Sequence, residues 1–217
     1  MLVDERMSKP VISVPPSTPI QEALNMMKRE HVRRFPVVTQ DGKLVGIVSQ
    51  SDLLHASPSD ATSLSVWELN YLISRIQVEE VMTRDVLTVT ADTPVEIAAR
   101  IMADNKIGGM PVMREGQVVG MITETDLFKI FLEMLGARYA GVRLTALVPN
   151  IPGELAQITK AIHDNGGNII SLSTALGDST ETGLVTIKVE GIAKDQLQSL
   201  IEPYVDDIVD IRQTESG

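Results

Sequence analysis

Two seven-residue stretches hold the residue types most suited to chemistry. They are Gly46-Ile47-Val48-Ser49-Gln50-Ser51-Asp52 and Gly120-Met121-Ile122-Thr123-Glu124-Thr125-Asp126. In each, an apolar run ends on a hydroxyl, and a carboxylate follows three residues later. At a strand-to-helix junction this pattern is a capping box, which satisfies orphan backbone donors at the helix start. A hydroxyl and a carboxylate at such a junction can also hold ribose hydroxyls, while nearby backbone N–H groups favour a phosphate. The two readings are compatible, and duplication copies caps as readily as sites. Other chemistry is scarce. The chain has no cysteine, which excludes disulfides, thiolate metal sites and thiol nucleophiles. His31, His55 and His163 lie far apart in sequence without a ligand-spaced partner, so no metal site is expected. Nucleophile elbow, P-loop and Gly-x-Gly-x-x-Gly patterns are absent. Glu79-Glu80 and Asp206-Asp207 read as solvated faces. No nucleophile, base and oxyanion set can be assembled, so the chain is not expected to be an enzyme.

The elements that position these stretches come from an internal repeat. Met7–Leu53 aligns with Met82–Leu127 at a separation of 75 residues, which also pairs Pro19 with Pro94 and Pro36 with Pro111. One residue is lost where Gln40-Asp41-Gly42 faces Glu115-Gly116, after which Gly46 pairs with Gly120 and Asp52 with Asp126. Each copy predicts a short strand (Val11–Val14; Val86–Val89), then a helix opened by Thr18-Pro19-Ile20-Gln21 or Thr93-Pro94-Val95-Glu96. These read as capping boxes with Pro at the first helical position. Ile20, Ala23, Leu24 and Met27 form one helical face, repeated as Val95, Ala98, Ala99 and Met102. A hairpin around a glycine turn follows, and then a second helix near Asp52 or Asp126. One unit of about 50 residues is marginal alone. Two copies burying their apolar faces against each other predict a pseudo-twofold pair with clefts between the halves. Between them, Ser57–Ser65 reads as loop. A linking helix follows from Ser65, with Val66, Leu69, Ile73 and Ile76 on one face and Trp67 packed on the repeat pair or a partner chain, or against a ligand.

The tandem pattern, an apolar residue before Pro-Val followed by Gly, two apolar residues and [ST]-x-x-D, resembles a pair of cystathionine-β-synthase (CBS) domains, a Bateman module. The resemblance covers roughly Met1–Leu132. It implies adenine nucleotides in clefts between the repeats. Ser49 and Asp52 would hold one ribose, Thr123 and Asp126 the other. Backbone at Val32, Arg33, Arg34, Phe35 and Pro36, and at Ile107, Gly109, Met110 and Pro111, would line the adenine pockets, closed by Val11-Ile12 and Val86-Leu87. The two sites differ: His31-Val32-Arg33-Arg34-Phe35 faces Lys106-Ile107-Gly108-Gly109-Met110. Arg33 and Arg34 could neutralise phosphates, or stay solvated or paired with carboxylates. Gly108-Gly109 permits close backbone approach, or serves a turn.

Beyond the helix that Gly136 ends, the pattern changes. Val142–Val148 alternates as a strand. Leu155, Ile158 and Ile162 mark a helix ended by Gly166-Gly167. Strands over Asn168–Leu176 and Gly183–Val189, a helix over Lys194–Glu202 and a strand over Val205–Arg212 complete β-α-β-β-α-β, a ferredoxin-like order. Asn150-Ile151-Pro152-Gly153-Glu154-Leu155 with Gly167-Asn168-Ile169-Ile170 resembles an ACT domain over Gly141–Gln213, with Asn150 where the usual signature has Asp. The resemblance implies side-by-side pairing and an amino acid near Asn150, Ile151, Gly153, Leu155, Asn168 and Ile169, the two asparagines facing its ammonium and carboxylate. The alternative is that Asn150 caps the helix and Asn168 takes an unusual turn. A CBS pair followed by an ACT domain is similar to the AcuB-type architecture.

The expected fold is therefore α/β (α+β): two β-α-β-β-α CBS repeats as a pseudo-twofold pair, plus a ferredoxin-like βαββαβ ACT domain. The expected divisions are 1–60 (first repeat), 61–78 (linking helix), 79–135 (second repeat) and 136–217 (ACT-like domain). The net charge of −10 argues against nucleic-acid and anionic-membrane partners. No basic segment followed by an apolar run opens the chain, and no stretch reaches a transmembrane length, so a cytoplasmic location is expected. The expected role is a regulatory sensor: a homodimer or larger homo-oligomer with an adenine nucleotide as regulatory ligand, no required cofactor, and a regulated protein partner. The rival is an association module whose clefts stay empty.

Overall fold

The computed structural model describes residues 1–56, 75–177 and 179–216. Trp67 and most of the expected loop and linking helix lie outside them. The chain forms two compact units, Met1–Leu127 and Phe128–Gly217. Among the described residues no helix is long and apolar enough to cross a membrane.

The first unit is built from α1 (Val3–Arg6), α2 (Ile20–Arg29), β1 (Arg34–Val38), β2 (Leu44–Ser49), α3 (Gln50–Ala56), α4 (Val78–Val81), β3 (Val89–Thr90), α5 (Val95–Asn105), β4 (Gly109–Arg114) and β5 (Gln117–Thr123), and runs into α6 (Glu124–Met134). Ile20, Ala23 and Met27 are buried on α2, and Val95, Ala98 and Met102 on α5, the helical faces read from the sequence. The hairpins β1–β2 and β4–β5 are antiparallel, each with a register shift before its turn.

Each repeat's leading segment packs on the other repeat. Ser8 and Met121 exchange backbone hydrogen bonds at 2.8 and 3.1 Å, and Ile47 and Thr83 do so at 2.9 Å both ways. Met7 lies over Gly120, and Met82 over Gly46. A Cβ at either glycine would collide with the thioether and stand 3.1 Å from a backbone carbonyl, of Ser8 or Thr83.

This exchange corrects the helix-start reading. Pro19 and Pro94 are the N-cap residues, not the first helical ones, and no side chain caps either helix. The donors go elsewhere: Ile20 N–H to the Ile76 carbonyl at 3.0 Å, and Val95 N–H to the Met1 carbonyl at 3.2 Å. Backbone distant in sequence, at Ile76 just ahead of the second repeat and at Met1 at the head of the first, does the work of a capping side chain.

The leading strands are also shorter than expected. In the first repeat the strand shrinks to a single bridge from Val14 to Val37, and in the second to Val89–Thr90. Proline explains the clipping. Val38 N–H donates to the Val14 carbonyl at 3.0 Å. The next donor along the parallel ladder would be residue 36, a proline with no N–H. Pro111 does the same in the second repeat. Among the described residues no backbone N–H donates to the carbonyls of Ile12 or Leu87.

The second unit carries β6 (Gly141–Pro149), α7 (Glu154–Asp164), β7 (Asn168–Leu176), β8 (Thr182–Glu190), α8 (Lys194–Ile201) and β9 (Asp207–Thr214). The sheet order is β7-β8-β6-β9, all antiparallel, which is ferredoxin-like topology. Val142, Leu144, Val148, Val185, Ile187 and Val189 on one sheet face pack with Ile158, Ile162, Leu197 and Ile201 of the helices. Gly136 and Gly166 take positive φ where α6 and α7 end. Lys188, only 3% exposed, donates to the Gly136 carbonyl at 2.8 Å.

Gly46→Ala and Gly120→Ala are each expected to destabilise the first unit by about 1–3 kcal/mol, because an added methyl overpacks the exchanged segment. Urea denaturation of the variants checks this, and an unchanged midpoint in both would contradict it.

Candidate functional site

Both hydroxyl–carboxylate pairs form the boxes read from the sequence. Ser49 N–H and Oγ–H donate to Asp52 Oδ2 at 2.8 and 2.7 Å, and Asp52 N–H returns to Ser49 Oγ at 3.3 Å. Thr123 N–H and Oγ1–H donate to Asp126 Oδ2 at 3.0 and 2.7 Å. Capping therefore accounts for this geometry. It does not consume both carboxylates. Asp52 Oδ1 has no hydrogen-bond partner among the described residues. Asp126 is the more enclosed of the two, 6% exposed.

The strand registers bring the remaining candidates beside these boxes. Arg34 pairs with Ser49 across β1–β2, and Gly109 with Thr123 across β4–β5. The helix-opening amides turn back to the same strands, Gln50 N–H to the Arg33 carbonyl at 2.9 Å and Glu124 N–H to the Gly108 carbonyl at 3.3 Å. Val11-Ile12 leads into the bridge that Val14 makes with β1, and Val86-Leu87 into β3 beside β4. Phe35 and Met110 are fully buried, so only their backbone can line a cleft. Pro36 and Pro111 are buried with them, while Val32 and Ile107 are half-buried. Arg33 is exposed and Leu87 is 44% exposed.

The sequence reading missed one residue. The Arg34 guanidinium does not stay with Ser49; it lies over Gly108 of the other repeat, next to the Glu124 carboxylate. A Cβ on Gly108 would stand 2.8 Å from Glu124 Oε2 and closer still to Arg34. Glu124 occupies the position where the first repeat has Gln50. That charge difference between otherwise matched motifs was the available signal.

In the second unit the two asparagines separate. Asn150 donates from its backbone to the Glu181 carbonyl at 2.8 Å and from Nδ2 to the Thr180 carbonyl at 3.0 Å. Asn168 Nδ2 donates to Glu190 Oε1 at 2.6 Å. Thr182 and Glu190 are opposite ends of β8. The eight residue-to-residue steps between them span about 26 Å, so Asn150 and Asn168 of one chain cannot grip the two ends of one amino acid. Neither alternative for them holds. The N-cap of α7 is Gly153, at φ +97°, and Asn168 simply opens β7. Ile151 and Leu155 are exposed beside Gly153, and Ile169 packs on the core.

A depression of about 570 Å³ lined by Asp4, Thr90, Asp92, Arg114 and Glu115, among others, includes none of these residues. Its rim is tied by an Arg114–Asp4 ion pair at 2.8 Å. The Thr90 hydroxyl donates to Asp92 and, as the largest cause, holds that carboxyl below the usual carboxylate range.

Asp126→Ala is expected to cost about 1 kcal/mol of stability through the lost cap. Asp52→Ala, at the more open box, should cost no more than that. Chemical denaturation of both variants checks the order, and a larger loss for Asp52→Ala would reverse this assignment.

Residues 3–59 and 78–133 match the CBS domain family. The CBS-domain pair of protein MJ0100, solved with 5′-methylthioadenosine and S-adenosyl-L-methionine, is 32% identical with a TM-score of 0.51, covering 60% of this chain and 95% of that one. CBSX2 in complex with AMP is 29% identical with a TM-score of 0.52, covering 61% of this chain and 97% of that one. An acetoin utilization protein (AcuB) from Vibrio cholerae is 29% identical with a TM-score of 0.53, covering 63% of this chain and 93% of that one. The match to the MJ1225 protein of Methanocaldococcus jannaschii, 33% identical over 138 residues, takes in 60% of this chain and spans about half of that relative, 47% of its length. This chain carries a tandem CBS pair and belongs to the CBS-domain family.

Proposed function

We propose that the protein is a regulatory sensor, without catalytic activity, that binds adenine nucleotides in the clefts of its CBS pair and acts in the cytoplasm. One observation carries the reading. Among the described residues, Pro36 and Pro111 leave the carbonyls of Ile12 and Leu87 without backbone donors, beside strands that lead to Ser49–Asp52 and Thr123–Asp126. Each cleft thus offers an open acceptor for an adenine amine and a carboxylate for a ribose hydroxyl. The adenosine-containing ligands of the MJ0100 pair and of CBSX2 support the same class. A nucleotide acts as a switch here through unequal affinity for two arrangements of the chain. The self-satisfied capping boxes favour the rival reading, an association module whose clefts stay empty.

The finer part of the reading concerns the second unit, taken as an ACT domain that binds an amino acid between two copies. The edge strand β7 supports it. Asn168–Leu176 carries no charge and no proline, and Leu176 at its end is 79% exposed. The opposite edge, β9, is broken up by Asp207, Asp210 and Arg212. An unguarded edge is a pairing surface. Twofold pairing of β7 strands brings Asn168 of one copy toward the end of the partner's sheet that carries the Asn150 loop, so the two asparagines meet between chains though not within one. Phe128 and Phe131 on α6, 67% and 57% exposed, supply a second apolar surface for a homodimer.

Calorimetric titration with AMP, ADP, ATP and S-adenosylmethionine tests the sensor. Saturable binding is expected, with at least a tenfold loss in Asp52→Ala or Asp126→Ala. No heat from any ligand, with an unchanged melting temperature, favours the association module. The double variant Phe128→Glu/Phe131→Glu is expected to sediment as a smaller species than the wild type, and an identical sedimentation profile removes α6 from the interface.

A further inference from the structure

We propose that the cleft at Thr123–Asp126 selects a phosphorylated adenine nucleotide over an uncharged adenosine derivative, and that Arg34, reaching over from the other repeat, makes the selection. The inference rests on the nucleotide-binding reading above and adds the ligand's charge class and the residue that reads it. Arg34 belongs by sequence to the first repeat and pairs by register with Ser49. Its guanidinium nonetheless lies against Gly108, next to the residue that pairs with Thr123 of the second repeat's box. Only glycine allows this, because any Cβ at position 108 would occupy the guanidinium's place.

The chain holds 29 acidic and 19 basic residues, so a basic side chain has no shortage of carboxylates to pair with. Yet Arg34 makes no ion pair among the described residues, even with Glu124 beside it. Guanidinium is a rigid fork of donors suited to a phosphate's paired oxygens. The amide end of α6, an eleven-residue helix, opens at the same point and adds partial positive charge. Glu124 sets the opposing term. It repels a second negative group, so a dianionic phosphate binds by engaging Arg34, and an uncharged 5′ group gains nothing from it. The counterpart of Arg34 in the second repeat is Gly109, so the first cleft receives no equivalent cation from across the pair.

The test is titration of the full chain with AMP and with 5′-methylthioadenosine, which share adenine and ribose and differ at the phosphate. Arg34→Gln is expected to weaken AMP about tenfold or more and to leave 5′-methylthioadenosine within about twofold. Arg34→Lys should recover part of the loss, and Glu124→Gln should strengthen AMP. Circular dichroism melting confirms that each variant folds. Equal losses for both ligands in Arg34→Gln, or no loss of AMP, overturn the selection. Wild-type protein that binds 5′-methylthioadenosine but not AMP overturns the selection alone. Wild-type protein that binds neither overturns the nucleotide reading and the selection with it.

Discussion

The first unit depends on a reciprocal backbone exchange. Ser8 and Met121 pair at one end, Thr83 and Ile47 at the other, and a methionine covers a glycine beside each pair. These contacts seal both repeats. They also provide the acceptors that start α2 and α5, since Ile76 and Met1 carbonyls take the amides that a capping side chain would otherwise serve. With the helices anchored this way, Thr18 and Thr93 are free of a capping role, and among the described residues the hydroxyl–carboxylate boxes at the hairpin ends are those at the candidate site.

Proline plays the complementary part. In a parallel ladder each missing N–H leaves one carbonyl without a partner. Among the described residues Pro36 and Pro111 withhold the backbone donor at equivalent places, next to Ile12 and Leu87. An unpaired carbonyl is costly when enclosed and useful when a ligand can reach it. The same two prolines stay buried within their strands, where they support the packing of Phe35 and Met110. Strand shortening and the two carbonyls left without backbone donors therefore have one cause.

Much of this was legible from residues alone. The 75-residue offset located the repeats, the Ile20-Ala23-Met27 face and its copy located the buried helix sides, and alternation with glycine stops located the ferredoxin-like order. The capping boxes at Ser49 and Thr123 were read correctly because both partners sit three residues apart. What escaped the reading were particular contacts made by distant chain. An offset identifies which residues are equivalent but not which copy they pack against, so the exchanged segments were hidden. Thr18 and Thr93 looked like caps because their true substitutes lie 58 and 92 residues away, at Ile76 and Met1. The reach of Arg34 depends on an absent side chain in the other repeat. Asn150 and Asn168 seemed close through adjacent motifs, whereas β8 holds them at its two ends.

The exchange also bears on how the chain folds as it is made. The first repeat cannot close when its own last helix, α3, leaves the ribosome, because the segment that seals it, through Thr83, has not yet been synthesised. The opening residues Met1–Ser8 must wait longer still, until β5 presents Met121. The two halves therefore close together, late, over contacts of long sequence separation, which makes the pair a single cooperative folding unit and sets its pace by its farthest contacts.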